Sequence, residues 1–283
     1  MIYVSSACIK NQKIRETVID LANKGIRSIE LSGGTVYYQE LESDLNSLKE
    51  MYDLKYVCHA YFPPPKEDFV VNLASCNDKI YKRSIRHYEE CIEFMKRIQC
   101  KVLSIHAGFL VEINADEIGK KINTRIVYRE QEAYDRFCNA YRHIENICKK
   151  NGIEFYLENN VLSDENYKSF GMNNYMMMTD YDSIMKMKKQ MEFNLLLDLG
   201  HLHVSTRSLG LNFSEQCKKL KEHVKWLHLS QNNGIVDEHK PLIKDSEILI
   251  EYEKMKHEDI NITLETVGSI DEIIESMNLL KKD

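Results

Sequence analysis

The chain has no uninterrupted run of about 18 apolar residues, so no membrane-spanning helix is expected. Proline is scarce, at 4 of 283 residues, and glycine numbers 11, which excludes collagen-like sequence and bulk low complexity. Positive charge is not in surplus. Lys and Arg total 38 against 44 Asp and Glu, a net −6, which excludes a globally basic nucleic-acid binder but not a local basic strip. No CxxC pair occurs among the eight cysteines. The first six residues, Met1 to Ser6, carry no basic start of an export signal, and Lys10 breaks the apolar stretch that follows. Reduced thiols in a cytoplasmic protein are therefore expected.

What the chain has is a globular composition, 43% hydrophobic and 29% charged. Its pattern alternates between short apolar runs and longer amphipathic ones. The short runs predict strands over Ile2–Ser5, Ser28–Leu31, Lys55–His59, Lys101–His106, Glu154–Glu158, Asn194–Leu199, Val224–Leu229 and Asn261–Thr266. Near-continuous apolar character suits parallel strands buried on both faces. Helical periodicity runs through Ile14 to Leu21, Leu41 to Met51, Ser84–Ile98, Gln131–Cys148, Tyr181–Met187, Phe213–Leu220, Ser246–Met255 and Ile270–Leu280. Eight strands, each followed by a helix, predict a single α/β domain over residues 1–283, a closed (β/α)8 TIM barrel, with an open doubly wound sheet as the rival. Four long connections, Tyr61–Cys76, Ala107–Val127, Asn159–Asp180 and Ser230–Asp245, all follow strands and would crowd the C-terminal rim, where barrel enzymes build their sites.

Six consecutive strands end in a side chain able to bind a divalent cation: His59, His106, Glu158, Asp198, His228 and Glu265. His201, Asp237 and His239 lie just beyond strand ends. In a parallel barrel these nine residues converge on one mouth. Asp237 and His239, two apart, would point the same way in an extended loop. Imidazole and carboxylate suit Zn²⁺, Mn²⁺ or Fe²⁺. A lone strand-end His is usually a structural residue. Here the six strand ends offer three imidazoles and three carboxylates with no Lys or Arg among them, and uncompensated carboxylates in one pocket repel each other unless a cation joins them.

Other positions read more plainly. His87, His143, His223 and His257 have polar helical neighbours and are expected at the surface. His203 is either a substrate contact or a loop hydrogen-bonding residue. Ser32-Gly33-Gly34-Thr35 reads as a turn rather than an anion nest. Cys58 should face away from the barrel interior, and Met176-Met177-Met178 should be apolar packing within a flexible lid.

On these residues the sequence resembles the xylose isomerase-like superfamily, which holds mononuclear sugar isomerases and epimerases and also the endonuclease IV family (AP endonuclease family 2). The endonuclease IV pattern adds to the strand-five to strand-eight set a His on strand three, a His on strand four, a His three after the strand-six Asp and an Asp-x-His after strand seven. His59, His106, His201 and Asp237-Glu238-His239 match it, as does Val71-Asn72-Leu73-Ala74-Ser75. The resemblance implies about three Zn²⁺, with Mn²⁺ or Fe²⁺ possible at some positions. One would sit on His59, His106 and Glu158, a second on Glu158, Asp198, His228 and Glu265, and a third on His201, Asp237 and His239.

That resemblance implies a phosphoester hydrolase in which Glu265 orients or deprotonates the attacking water. The expected partners are abasic DNA or a small phosphorylated substrate, with no membrane. The segment after strand two, SGGTVYYQELESD, has no arginine and several acids, which favours a nucleotide or sugar phosphate slightly over duplex DNA. The alternative is a sugar isomerase or epimerase, with one ion on the strand-five to strand-eight set and Glu158 and Glu265 as acid–base pair.

Overall fold

A computed structural model describes residues 1–67, 69–123 and 126–281. The strands are β1 (Ile2–Ser5), β2 (Ser28–Leu31), β3 (Lys55–His59), β4 (Val102–His106), β5 (Glu154–Glu158), β6 (Asn194–Asp198), β7 (Val224–Leu229) and β8 (Asn261–Leu264). All neighbouring pairs are parallel, and β8 returns to β1, so the sheet closes in chain order. The fold is the expected (β/α)8 barrel, and the open sheet is excluded. Among the described residues no helix is long and apolar enough to cross a membrane.

The outer layer comprises α1 (Ile14–Asn23), α2 (Leu41–Tyr52), α3 (Asp78–Arg97), α4 (Glu130–Lys150), α5 (Asp164–Ser169), α6 (Tyr181–Lys188), α7 (Leu199–Leu209), α8 (Phe213–Leu220), α9 (Glu247–Met255) and α10 (Ile270–Leu280). Two of these, α5 and α7, have no counterpart in the sequence pattern. Every residue from Leu199 to Thr206 is buried, so α7 lacks the polar face that makes a helix visible as a period. It starts where a continued strand was expected, because the Asp198 carboxylate accepts the His201 N–H at 2.6 Å and caps the helix. In the same way α3 begins at Asp78, ahead of the expected Ser84, with Asn77 as its cap.

Side chains alternate in and out along each strand, and this places the site. Tyr3, Val57, Tyr156, Leu196 and Trp226 form their own apolar cluster, with Val102 packed against it. Trp226 holds its ring 5.2 Å from Tyr3 and 5.4 Å from Tyr156. This is the floor of the barrel interior. Two residues further along the same strands stand Ser5, His59, Ser104, Glu158, Asp198 and His228. The interior therefore changes from apolar to polar in a single tier, at the C-terminal end.

Cys58, of opposite parity to His59, belongs to the helix–strand core, as expected. All eight cysteines are free. Met177 and Met178 join the main core, while Met176 packs with Val111, Ile122, Leu162 and Phe170 in a side cluster that ties the connections after β4 and β5 together.

Candidate metal centre

All nine expected ligands meet at the C-terminal mouth. Their atoms fall into three sets, within each of which the ligand atoms lie within 4.8 Å of one another: His59, His106 and Glu158; Glu158, Asp198, His228 and Glu265; and His201, Asp237 and His239. Glu158 is fully buried and belongs to two of them. One Glu158 oxygen lies 3.4 Å from His59 Nε2 and 3.4 Å from His106 Nδ1. The other lies 3.4 Å from His228 Nδ1 and 3.6 Å from His201 Nδ1. Glu265 is 3.4 Å from the same His228 nitrogen. In the third set, Asp237 pairs with His239 Nε2 at 2.8 Å and His201 Nε2 at 3.1 Å.

The spacings around Glu158 differ from those around Asp237, whose contacts at 2.8 and 3.1 Å have hydrogen-bond length. A charge-assisted hydrogen bond is about 2.7–2.9 Å long. Two ligands about 2.1 Å from a tetrahedral ion are about 3.4 Å apart. The contacts at 3.4 Å match the edge of such a tetrahedron, and both Glu158 oxygens, Asp198 Oδ2, Asp237 Oδ1 and His228 Nδ1 are buried with no hydrogen-bond partner. Leaving so many polar atoms unsatisfied costs several kcal/mol in total. A bound cation would satisfy them, so the residues present fit a metal centre.

The outward nitrogen of four of the imidazoles is fixed by a neighbour, which sets the ring and leaves the inward nitrogen for the centre. His228 Nε2 donates to Glu30 at 3.1 Å, His201 Nδ1 donates to the Asn159 carbonyl at 2.9 Å, and His239 Nδ1 donates to the Glu265 carbonyl at 3.2 Å. His59 Nδ1 meets the Ser104 hydroxyl at 2.9 Å. Asn159 also accepts the Asp198 N–H at 2.7 Å. Glu30, 1% exposed on β2, receives the Thr263 hydroxyl at 2.9 Å as well. Sequence reasoning missed Glu30 because it sits inside a four-residue strand, Ser28–Leu31, rather than at a strand end. A single acid in an apolar run was the available signal.

Several expectations need correction. Asp237 and His239 reach a common point with His239 in the left-handed region at φ 48°, not through a wholly extended loop. His201 lies in the first turn of α7. His203 lies in the same helix, and both its nitrogens are taken, by Asn232 at 2.8 Å and Glu247 at 3.1 Å, so it is held away from the centre. His87 is buried, not at the surface, because Ser84, Tyr88 and Cys91 share its side of α3. His143 pairs with Glu89 at 2.6 Å and is exposed as expected.

Among the described residues no Lys or Arg forms an ion pair with a carboxylate of the cage, and the partners of Glu158, Asp237 and Glu265 are the cage's own imidazoles. Burial opposes charge on His228, but Glu30, Glu265 and Glu158 outweigh it and raise its pKa well above the usual value. His201 is likewise raised against burial, by Asp198 and Asp237. His239, again despite burial, is pushed up to about 9 by Asp237 and Glu265. Burial lowers His106 to about 4 and raises Asp198 to about 6. Burial also opposes ionisation of Glu158 and Glu265, yet the imidazoles around them hold both below the carboxylate range.

Above the cage opens a cavity of about 1220 Å³. Its floor shows His59, His106, His201, His239 and Glu265, and its walls include Tyr37, Tyr61, Phe69, Ile118 and Val267. The volume exceeds what one sugar ring fills.

Residues 19–282 match the family model described as the xylose isomerase-like TIM barrel. The chain belongs to that family. It is 24% identical over 225 residues to the uncharacterized protein MJ1614 of Methanocaldococcus jannaschii, covering 75% of this chain and 73% of the relative. Among solved structures it is similar to a D-tagatose 3-epimerase-like protein, with TM-score 0.73 and 19% identity over 99% of this chain and 95% of the other. It is also similar to the 3-keto-D-glucoside 4-epimerase YcjR of E. coli, with TM-score 0.65 and 9% identity over 99% and 97% of the two chains. At these identities the structural likeness speaks for the fold. Enzymes of this family depend on divalent metals, and the cage supplies ligands of that kind.

Proposed function

We propose that this chain is a metal-dependent phosphoester hydrolase acting on a nucleotide or sugar phosphate, with abasic DNA the less favoured substrate. The observation that carries the reading is the third ligand set. His201, Asp237 and His239 lie beside the two sets that share Glu158, and a single-ion enzyme has no metal task for them. When bound, Zn²⁺ or a related cation would polarise phosphate oxygens and lower the pKa of water towards about 7. The chain's own residues do the rest. Glu265, ionised at the cavity floor, orients a water and accepts its proton. The cage imidazoles and carboxylates would hold the cations, and the aromatic walls limit access of solvent.

A second reading is a sugar epimerase or isomerase. The named structural neighbours lean towards it, and so does the placing of Glu158 and Glu265, each 3.4 Å from one nitrogen of His228. In that reading the two carboxylates move a proton across a bound ketose.

Metal analysis of the purified protein together with two assays separates the readings. The hydrolase reading expects about three metals per chain, turnover of bis(p-nitrophenyl) phosphate, and loss of that turnover in His239→Ala. One metal per chain with epimerisation of a ketose at carbon 3, insensitive to His239→Ala, would overturn it in favour of the second.

A further inference from the structure

A second cavity of about 910 Å³ adjoins the mouth, and Tyr37, Pro64, Pro65, Lys66 and Phe69 line both. Its lining is unlike the cage. Among the described residues it carries six cationic side chains, Lys66, Lys79, Lys82, Arg83, Arg86 and Arg97, against three carboxylates, Glu42, Glu67 and Glu90. Two of those carboxylates are already engaged, Glu42 by Arg97 at 2.7 Å and Glu67 by Arg83 at 3.5 Å. Lys79, Lys82 and Arg86 are exposed and make no ion pair among the described residues. They recur at helical spacing along the first half of α3, a stripe about 10 Å long at 1.5 Å per residue. In a chain of net charge −6, this local excess of cations makes a positive patch that attracts anions.

The groove is also built. Arg83 donates to the Glu67 carbonyl at 2.8 Å and lies 4.1 Å from the centre of the Phe69 ring, which fixes the wall shared with the mouth. Lys66 stands 5.1 Å from the Tyr37 ring at the same boundary. At the base lies His87, 7% exposed, packed among Tyr61, Phe69 and Tyr88, with an Nε2 that finds no partner.

We propose that this groove is a subsite for a second phosphate group of the substrate, with Lys82 and Arg86 as its principal contacts and Lys79 at its outer end. The inference rests on the phosphoester reading of the cage. It narrows the substrate class to molecules that carry another phosphate beyond the one that reacts. The two sources of such a group are a small bisphosphorylated sugar and a short single strand of nucleic acid, whose bases would stack on the aromatic boundary.

Binding to the zinc-loaded protein tests the subsite, because the cage must hold the first phosphate before a second one can add affinity. Calorimetry would compare fructose 1,6-bisphosphate with fructose 6-phosphate, and fluorescence anisotropy would follow a labelled hexathymidylate. The variants are Lys82→Gln/Arg86→Gln and, as a charge-matched control on the exposed end of α4, Lys149→Gln/Lys150→Gln. The expected result is that the bisphosphate or the hexamer binds about tenfold or more tighter than the monophosphate. The α3 variant should lose that advantage, and the α4 variant should keep it.

A gain confined to the hexamer assigns the phosphate to a strand, and the logarithmic salt slope should then fall by about 0.7 per neutralised cation. A gain with the bisphosphate assigns it to a small molecule. The subsite is refuted if neither ligand shows an advantage that the α3 variant removes. Turnover of bis(p-nitrophenyl) phosphate, which has a single phosphate, should stay within twofold in the α3 variant. If wild-type protein does not hydrolyse that ester although the binding advantage holds, the cage reading fails and the groove stands.

Discussion

Loading the cage with metal should expel protons, and the number expelled reports how much of the cage is used. His201, His228 and His239 all have pKa values raised above the ordinary imidazole range, His239 to about 9, so each carries a proton at pH 7 in the metal-free protein. A ligating imidazole must be neutral at its metal nitrogen. Filling all three sets should therefore release about three protons per chain at pH 7. Filling only the set of Glu158, Asp198, His228 and Glu265 should release about one from His228, plus about a tenth of one from Asp198, whose pKa is about 6. The proton on His239 sits two pH units above neutrality, so at pH 7 it competes with the cation by about 3 kcal/mol. His201 in the same set must also give up its proton, so affinity there should rise about a hundredfold per pH unit near neutrality and less steeply above pH 9. Titration calorimetry of Zn²⁺ in two buffers of different ionisation enthalpy counts the protons directly. Full loading with fewer than about half a proton released, or an affinity flat between pH 6 and 9, would refute the picture of cage carboxylates paired with protonated imidazoles.

Glu30→Gln keeps the shape of the buried contact but removes the charge behind His228, and should weaken metal binding by about 10–100-fold; unchanged affinity in a competition assay would discount that role. Trp226→Ala empties the barrel floor and removes one of the two hydrogen bonds of the Thr263 hydroxyl, so urea unfolding should show a loss of about 3–5 kcal/mol, and a loss below about 1 kcal/mol would mean the floor is not the packed layer described. His87 is lowered to about 4, first by burial and then by Arg83. Its unfolded form binds a proton near 6.5, so its contribution is complete above that pH and is lost, by about 3 kcal/mol, as pH falls towards 4. His87→Phe should therefore lose less stability than wild type between those pH values, and identical acid profiles would count against a neutral buried His87.

The strands were legible because each is buried on both faces, and only their start and end residues shifted, as at Lys101 and Leu199. The ligands were legible for the complementary reason: they are polar residues placed at one fixed point of an apolar run, and closure of the sheet turns that repeated position into a ring. Nothing comparable marks Glu30, whose role depends on facing His228, 198 residues away. His87 was misread because its neighbours Arg86, Glu89 and Glu90 are polar in sequence yet lie towards other sides of α3. The basic groove was illegible for a related reason, since Lys66 and Arg86 meet only once the connection after β3 folds back over α3.

The inward residues ride on successive staves of one hoop, and the hoop is fastened last between β1 and β8. A chain growing from its N-terminus holds Glu30, His59 and His106 long before it holds Glu265, so no early fragment carries a finished cup. Each cation seated on Glu158 and its neighbours would act as a rivet through several staves at once. Loss of those ions should then loosen the top of the hoop first and leave the apolar floor around Trp226 as the last part to come apart.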